Sequence, residues 1–220
     1  MLIRPNWPAP DNIKACTTLR HSQITRESCK EQLLLPSNPI WIQQKHTNIA
    51  VKAATENNNC IADAVYTDEP EKICAVLTAD CLPILLCHQQ GTLIAAIHAG
   101  WRGLAHGVIE ATLTALPAPS QQFLAWLGPA IGPQRFEVKR DVYDAFVQHS
   151  PSAVQAFTRH TPTSWLANLY ELAKQRLQAQ GIHRIYGGNF CTYSEEDKFF
   201  SYRRDAGHTG RMISLIWREK

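Results

Sequence analysis

Residues 74–103 read CAVLTADCLPILLCHQQGTLIAAIHAGWRG, and this stretch decides the fold. Three apolar runs, residues 73–77, 84–87 and 93–97, have the length and the β-branched content of buried strands. A short link containing Gly91 separates the second run from the third, which predicts an antiparallel hairpin. Cys81 precedes the second run and His98 follows the third, so this hairpin brings the two side chains to the same end of the paired strands.

The segment after His98 is typical of a turn from a strand into a helix. Arg102 lies between Gly100 and Gly103, and glycines in such a turn let the backbone approach a ligand closely. A guanidinium beside the first turn of a helix is suited to an anion. Apolar residues then recur at helical spacing over residues 104–116 and end before Pro117, which predicts an amphipathic helix packed on the sheet.

A second histidine lies upstream, between two short apolar segments. His46 follows residues 40–42 and precedes residues 49–51, and both segments have strand character. A turn or bulge inside a sheet would aim this imidazole inward.

The remaining periodicity predicts a mixed structure in one domain. Alternating and apolar runs predict further strands at residues 15–20, 62–67, 123–127, 182–186 and 212–217, whereas helical spacing predicts helices at 28–35, 142–147 and 165–179. We therefore expect a single domain over residues 1–220, of the α+β class, with mixed β-sheets flanked by helices.

Composition excludes several classes of partner. The chain has 220 residues, 45% of them hydrophobic, which is enough for one sizeable core. The net charge of +3 comes from 22 basic and 19 acidic residues without a run of like charge, so neither a nucleic acid nor a membrane partner is indicated. The seven cysteines are an odd set without a C-x-x-C pair, and we expect reduced thiols. Neither a signal peptide nor a membrane span is indicated, so we expect a cytoplasmic protein, and a monomer.

His46, Cys81 and His98 together form a candidate zinc site. Imidazole and thiolate are zinc ligands, and three protein ligands that leave a fourth position open are typical of a catalytic site. The same residues support another interpretation, in which Cys81 is a nucleophile, His98 is its base and Asp80 or His46 orients the imidazole. The residues alone leave both interpretations open, because both require a thiol with a lowered pKa.

Longer motifs identify a family that the chain resembles. TADCLPILL, IHAGWRG, LGPAIGP and the C-terminal FFSYRRDAGHTGR, followed by ISLIW, occur in this order between residues 41 and 217. Together they resemble the laccase-domain family, bacterial proteins once labelled multicopper polyphenol oxidases and now regarded as purine nucleoside phosphorylases with adenosine deaminase activity. The resemblance implies a layered α+β fold, similar in its core to a Cys-His deamidating toxin.

The resemblance also implies roles for individual residues. The metal ligands of the family fall on His46, Cys81 and His98 of this chain. The family motif at the N-terminus survives only as the residues 17–20, TTLR, so Arg20 matches the family arginine only across an inserted leucine. The family usually has glycine where this chain has Thr47, which is expected to stiffen the turn after His46.

The oxidase label can be tested against the residues. Multicopper laccases use several His-x-His pairs, and none of the nine histidines of this chain forms one. One three-ligand site does not store four electrons, although Cu²⁺ outcompetes Zn²⁺ at such ligands and would give adventitious oxidation. Copper is therefore expected as a contaminant and zinc as the cofactor.

Phosphorolysis of a purine nucleoside is the function that we predict. Phosphate would be bound by Arg102, with Arg20 and Arg203 as further contacts, and would attack C1′ of adenosine, inosine or methylthioadenosine. A metal-activated water would serve deamination, with Asp80 as a proton carrier. The alternatives are a Cys81/His98 thiol hydrolase or deamidase, and an enzyme that edits peptidoglycan precursors.

Overall fold

Thirteen strands supply most of the regular structure in the computed structural model, which describes residues 2–220. In chain order they are β1 Leu2–Ile3, β2 Ile13–Thr18, β3 Ala50–Lys52, β4 Ala64–Thr67, β5 Ile73–Thr78, β6 Leu82–His88, β7 Ile94–Ala99, β8 Phe123–Leu127, β9 Glu137–Lys139, β10 Phe157–Thr161, β11 Ser164–Ala167, β12 Ile185–Gly187 and β13 Met212–Arg218.

Five α-helices accompany the strands. They are α1 Cys29–Gln32, α2 Trp101–Ala105, α3 Val108–Ala115, α4 Arg140–Val147 and α5 Leu169–Ala179. Within residues 2–220, no helix has the length and apolarity that a membrane crossing requires.

The strands form three sheets. The largest has six strands in the order β12-β8-β6-β7-β4-β3, the second has four in the order β1-β2-β13-β5, and the third has three in the order β10-β11-β9. Parallel and antiparallel pairs occur together in the six-stranded sheet, since β12 runs parallel to β8 while β6 runs antiparallel to β7. The predicted α+β fold with mixed sheets and flanking helices is confirmed.

The six-stranded sheet is buried on both faces, which explains why its central strands are apolar throughout. Successive side chains of a strand point to opposite faces. Ile84 and Leu86 accordingly pack into the cluster that contains the helices, whereas Leu85 and Cys87 pack into the cluster shared with the four-stranded sheet. A helix layer and a second sheet therefore cover the strands that carry the candidate ligands.

The predicted antiparallel hairpin is confirmed by the pairing of β6 with β7. In β6 and β7, Pro83 pairs with His98 and Leu82 pairs with Ala99. Cys81 lies in the bend just before β6, so it reaches the same end of the sheet as His98.

Two predicted helices were wrong in part. The helix expected at 104–116 is divided into α2 and α3 by Gly107, whose φ of 87° lies in the left-handed region that a continuous helix does not use. The helix expected at 165–179 begins only at Leu169, where Asn168 caps its first turn by accepting a hydrogen bond from the backbone N–H of Glu171 at 3.1 Å. Residues 165–167 belong to β11 instead, because Trp165 pairs with β9 and β10 and stacks on Tyr143.

Smaller differences concern element ends. The helix expected at 28–35 covers four residues, and the strand expected at 182–186 covers residues 185–187. The strand expected at 15–20 ends at Thr18, so Arg20 lies in the 3₁₀ turn that follows. The short strands β9 and β10 were not predicted, since neither presents an apolar run.

Candidate metal centre and active-site cavity

The loop that carries His46 is held by one buried carboxylate. The backbone N–H groups of Lys45, His46 and Thr47 donate to Asp63 at 3.1, 3.1 and 2.6 Å, and the Thr47 hydroxyl donates at 2.7 Å. His46 has a φ of 60°, which is uncommon for a residue with a side chain. The carboxylate thus stabilises a turn that the sequence alone disfavours, and this turn directs the imidazole towards the hairpin end.

The same carboxylate orients the second imidazole. His98 Nδ1 lies 2.7 Å from Asp63 Oδ1, and Asp63 is completely buried. An imidazole that donates through Nδ1 has Nε2 free as a lone-pair donor, which is the arrangement found at metal-bound histidines. Asp63 therefore positions both imidazoles, whereas the thiol interpretation had assigned the orienting role to Asp80 or His46.

Asp80, next to the thiol, accepts three hydrogen bonds. Its Oδ1 accepts from the Thr192 hydroxyl at 2.6 Å, and its Oδ2 accepts from the Ser201 hydroxyl at 3.0 Å and from the backbone N–H of Arg203 at 2.6 Å. Asp80 is buried and has a φ of 81°. These contacts connect the bend at Cys81 to the C-terminal loops.

Gly100 allows the ligands to approach the backbone. A Cβ atom at this position would lie 2.5 Å from His46 Cδ2 and 3.0 Å from Cys81 Sγ. A Cβ atom at Gly103 would lie 3.0 Å from the backbone oxygen of Thr47. Both glycines therefore make room for the candidate metal ligands and their loop.

The three side chains fit a metal ion. One ligand atom from each of His46, Cys81 and His98 lies within 4.8 Å of the others, and Cys81 Sγ is 3.7 Å from His46 Nε2. In tetrahedral zinc coordination, a thiolate at about 2.3 Å and an imidazole nitrogen at about 2.0 Å are about 3.5 Å apart. The cluster could therefore hold an ion with two nitrogens and one sulfur, with a fourth position open.

Electrostatics in the metal-free site favour an ionised thiol. Burial opposes ionisation of Cys81, but the charge of His98 and the contact with His46 outweigh it and lower the pKa of Cys81 to about 6. Burial would lower the pKa of His98, but the Cys81 charge and the hydrogen bond to Asp63 raise it to about 9. For Asp63, the hydrogen bonds from His98 and Thr47 outweigh burial and lower the pKa to about 2. A thiolate suits both metal binding and nucleophilic attack.

A cavity of about 580 Å³ opens beside the three side chains. Its volume is in the range of small-molecule sites. Arg102 and Arg203 line it, and both are exposed. The Arg102 guanidinium stacks on Trp101 at 4.5 Å from the ring centroid, and that of Arg203 lies 5.6 Å from the Phe136 ring and donates to the Glu137 backbone oxygen. The cavity thus joins the candidate metal centre to cationic groups.

Arg20 lies elsewhere. It lines a second cavity of about 400 Å³, where its guanidinium lies 3.7 Å from Glu196 and 5.7 Å from the Phe200 ring centroid. It does not line the cavity that contains the His-Cys-His cluster.

Sequence reasoning missed two residues of the site. Asp63 was treated only as part of a strand, although an acidic residue between the apolar residues Ala62 and Ala64 was a signal of a buried carboxylate that needs donors. Arg26 also lines the larger cavity. Its surrounding sequence offers no periodic pattern that would have indicated this position.

Comparisons with known proteins agree with the motifs. A family model described as multi-copper polyphenol oxidoreductase laccase matches residues 20–219. A Shigella flexneri protein named purine nucleoside phosphorylase YfiH is 42% identical over 240 residues, with 98% of each chain covered. A Haemophilus influenzae protein named purine nucleoside phosphorylase is 42% identical over 242 residues, with 99% of each chain covered.

Solved structures have the same fold. A Neisseria meningitidis protein superposes with a TM-score of 0.93 at 40% identity, covering 100% of this chain and 99% of that one. YlmD from Geobacillus stearothermophilus superposes with a TM-score of 0.90 at 26% identity, covering 100% and 96%. The resemblance inferred from the motifs is confirmed.

Proposed function

The chain belongs to the family described as multi-copper polyphenol oxidoreductase laccase, and from this membership we propose that it is a zinc-dependent purine nucleoside phosphorylase with adenosine deaminase activity. The observation that carries the proposal is the cluster of His46, Cys81 and His98 on the wall of a cavity that also contains arginines. The names of the relatives supply the substrate class, a purine nucleoside with phosphate. Adenosine, inosine and methylthioadenosine are the proposed nucleosides.

Zinc is the proposed ion, because two imidazoles and a thiolate form a donor set typical of zinc and the cluster has the matching spacing. When bound, zinc supplies Lewis-acid chemistry and lowers the pKa of a bound water. The residues that would hold it are His46 and His98 through nitrogen and Cys81 through sulfur. Asp63 keeps His98 in the tautomer that leaves Nε2 available.

In phosphorolysis, a phosphate oxygen forms a bond to C1′ while the bond from C1′ to N9 of the purine breaks. The electron pair leaves with the base, which takes up a proton. Arg102, held against Trp101, would bind and orient the phosphate with Arg203. A planar guanidinium binds two phosphate oxygens at once, which fixes the direction of attack.

In this proposal Asp80 positions other groups during phosphorolysis and transfers no proton. Three donors occupy its two oxygens, so it positions the bend that carries Cys81 and the loop that carries Arg203. A role as proton carrier in deamination stays a prediction.

The test measures products with and without phosphate. Purified protein incubated with adenosine or inosine should release free base and ribose 1-phosphate only when phosphate is present. Cys81→Ala should lose zinc in elemental analysis and lose this activity, whereas Cys60→Ala, which changes a half-buried thiol outside the cluster, should keep both. Equal release of base without phosphate would show hydrolysis and refute the proposal.

A second candidate, a cysteine hydrolase or deamidase, is favoured by one contact. His98, beside the thiol of Cys81, is hydrogen-bonded to Asp63, as an oriented general base would be. This function requires activity that survives removal of the metal by a chelator and is abolished by alkylation of Cys81.

A further inference from the structure

The cavity beside the His-Cys-His cluster contains more positive charge than one phosphate ion requires. Four arginines line it against one carboxylate, that of Asp80, whose three hydrogen-bond donors are all uncharged. Among residues 2–220, no carboxylate lies within ion-pair distance of any of the four, which are Arg26, Arg102, Arg203 and Arg211. A phosphate group carries about −1.5 to −2 charges at neutral pH. The cavity is therefore suited to two anionic groups.

The four arginines fall into two pairs by position. Arg102 lies four residues after His98, and the backbone N–H of Arg203 bonds to Asp80 beside the thiol, so this pair belongs to the metal end of the cavity. Arg26 and Arg211 line both this cavity and the adjoining one of about 400 Å³. The second pair therefore marks the junction of the two cavities, where a substrate has room to extend.

The guanidinium of Arg26 is held in place but incompletely bonded. It stacks on Trp41 at 5.0 Å from the ring centroid, and its Nη2 donates to the Ile42 backbone oxygen at 3.4 Å. Its Nε is shielded from solvent and has no hydrogen-bond partner. Nη1 also has no protein acceptor among the described residues but is not shielded from solvent, so it is the donor that an anionic ligand could reach.

The second arginine of this pair is also oriented by an aromatic ring. The guanidinium of Arg211 lies 5.9 Å from the Tyr202 ring centroid, and its Nη1 donates to the backbone oxygens of Thr209 and Gly210. Its other nitrogens have no protein acceptor among the described residues. Two guanidiniums with free donors at one junction are suited to the oxygens of a phosphate monoester.

We infer that the junction lined by Arg26 and Arg211 is a second anion subsite, which binds the 5′-phosphate of a purine nucleotide. This inference rests on the proposed phosphorolysis and extends its substrate class from nucleosides to nucleoside 5′-monophosphates. Orthophosphate at Arg102 and Arg203 attacks C1′, the bond from C1′ to N9 breaks, and the base leaves with the electron pair and takes up a proton. The sugar product is ribose 1,5-bisphosphate.

The first experiment measures binding without turnover. Calorimetry without added phosphate compares inosine with inosine 5′-monophosphate, which have no amino group to hydrolyse, for the parent protein, for Arg26→Met and Arg211→Met, and for the control Arg140→Met. Arg140 lies on α4 with its side chain 75% exposed and lines neither cavity. We expect the parent protein to bind the nucleotide at least about tenfold more tightly than the nucleoside, since a charge-assisted hydrogen bond contributes about a tenfold gain in affinity. Each cavity variant should reduce this ratio about tenfold, and the control should retain it.

The second experiment measures base release from the nucleotide in the presence of phosphate. Ribose 1,5-bisphosphate should appear, and the ratio of kcat/KM between nucleotide and nucleoside should fall in Arg26→Met. Equal affinity of the parent for nucleotide and nucleoside, or equal weakening of both ligands in the variants, would overturn the subsite. Preferential nucleotide binding with no base release from either compound would leave the subsite standing and refute the proposed phosphorolysis.

Discussion

Replacing Asp63 by asparagine tests the carboxylate that bonds to the His98 imidazole and to the backbone of the loop that carries His46. The change keeps the shape of the side chain but removes one acceptor oxygen and the charge. An amide oxygen in place of Oδ2 still accepts from Lys45 and Thr47, so the amide NH₂ then faces His98 Nδ1 and the N–H of His46. It would donate to Nδ1 and thus favour the tautomer with a proton on Nε2, the nitrogen that a metal needs.

The expected loss of stability follows from the hydrogen bonds that the substitution removes or weakens. The hydrogen bond from His46 to a charged acceptor is lost, at about 1.5 to 3 kcal/mol, and the one with His98 is replaced by a neutral bond that is weaker by about 1 kcal/mol, so the free energy of unfolding should fall by about 3 kcal/mol. Loss of a carboxylate behind a metal-bound histidine typically weakens metal binding about 10- to 100-fold. The zinc-binding free energy should therefore become less favourable by about 1.4 to 2.7 kcal/mol.

Two assays separate these effects. Urea unfolding of the metal-free protein measures stability, and zinc titration against a competing chelator measures affinity. Asp144→Asn is the matched control, because Asp144 makes a partly exposed ion pair with Arg140 on α4. The reasoning would be refuted if Asp63→Asn bound zinc as tightly as the parent while remaining folded.

Three further predictions concern other contacts. Gly100→Ala should weaken zinc binding about tenfold or more in the same titration, because the added Cβ would lie 2.5 Å from a carbon of His46; parental affinity would contradict this. In the metal-free protein, the rate of Cys81 alkylation should rise with pH around a midpoint near 6, because the thiolate is the reactive form and is protonated below that pKa. Mass spectrometry at neutral pH should find Cys16 unmodified, since its pKa is raised to about 11. Asn168→Ala should reduce the free energy of unfolding by about 1 kcal/mol in urea titrations, since it removes the N-cap of α5; no change would exclude a capping contribution.

The strands of the central hairpin could be predicted because their burial leaves a clear pattern. A sheet covered on both faces requires apolar residues at consecutive positions, and β6 and β7 show this directly in the sequence. Residues 165–167 could not be assigned in the same way. Trp165 is apolar and continues the spacing of α5, and only its pairing with β9 and β10 makes it part of a strand.

The candidate metal ligands could be predicted from motifs, whereas the groups that support them emerge only in three dimensions. Residue chemistry alone gave only a weak reason to join His46 to Cys81, 35 positions apart, and the family resemblance strengthened that link. The role of Asp63 depends on three backbone N–H groups pointing at one carboxylate, which follows from the positive φ of His46. No local propensity predicts such a conformation.

The hydrogen bonds of Asp80 have a mechanical consequence for the whole pocket. Asp80 directly precedes Cys81, and its side chain bonds to Thr192, Ser201 and the backbone of Arg203, all more than a hundred positions further along the chain. Movement of the loop that carries Arg203 would therefore strain the hydrogen bonds that hold the residue before Cys81. A cation at the His-Cys-His cluster and an anion at Arg203 would therefore lie at the two ends of one hydrogen-bonded connection.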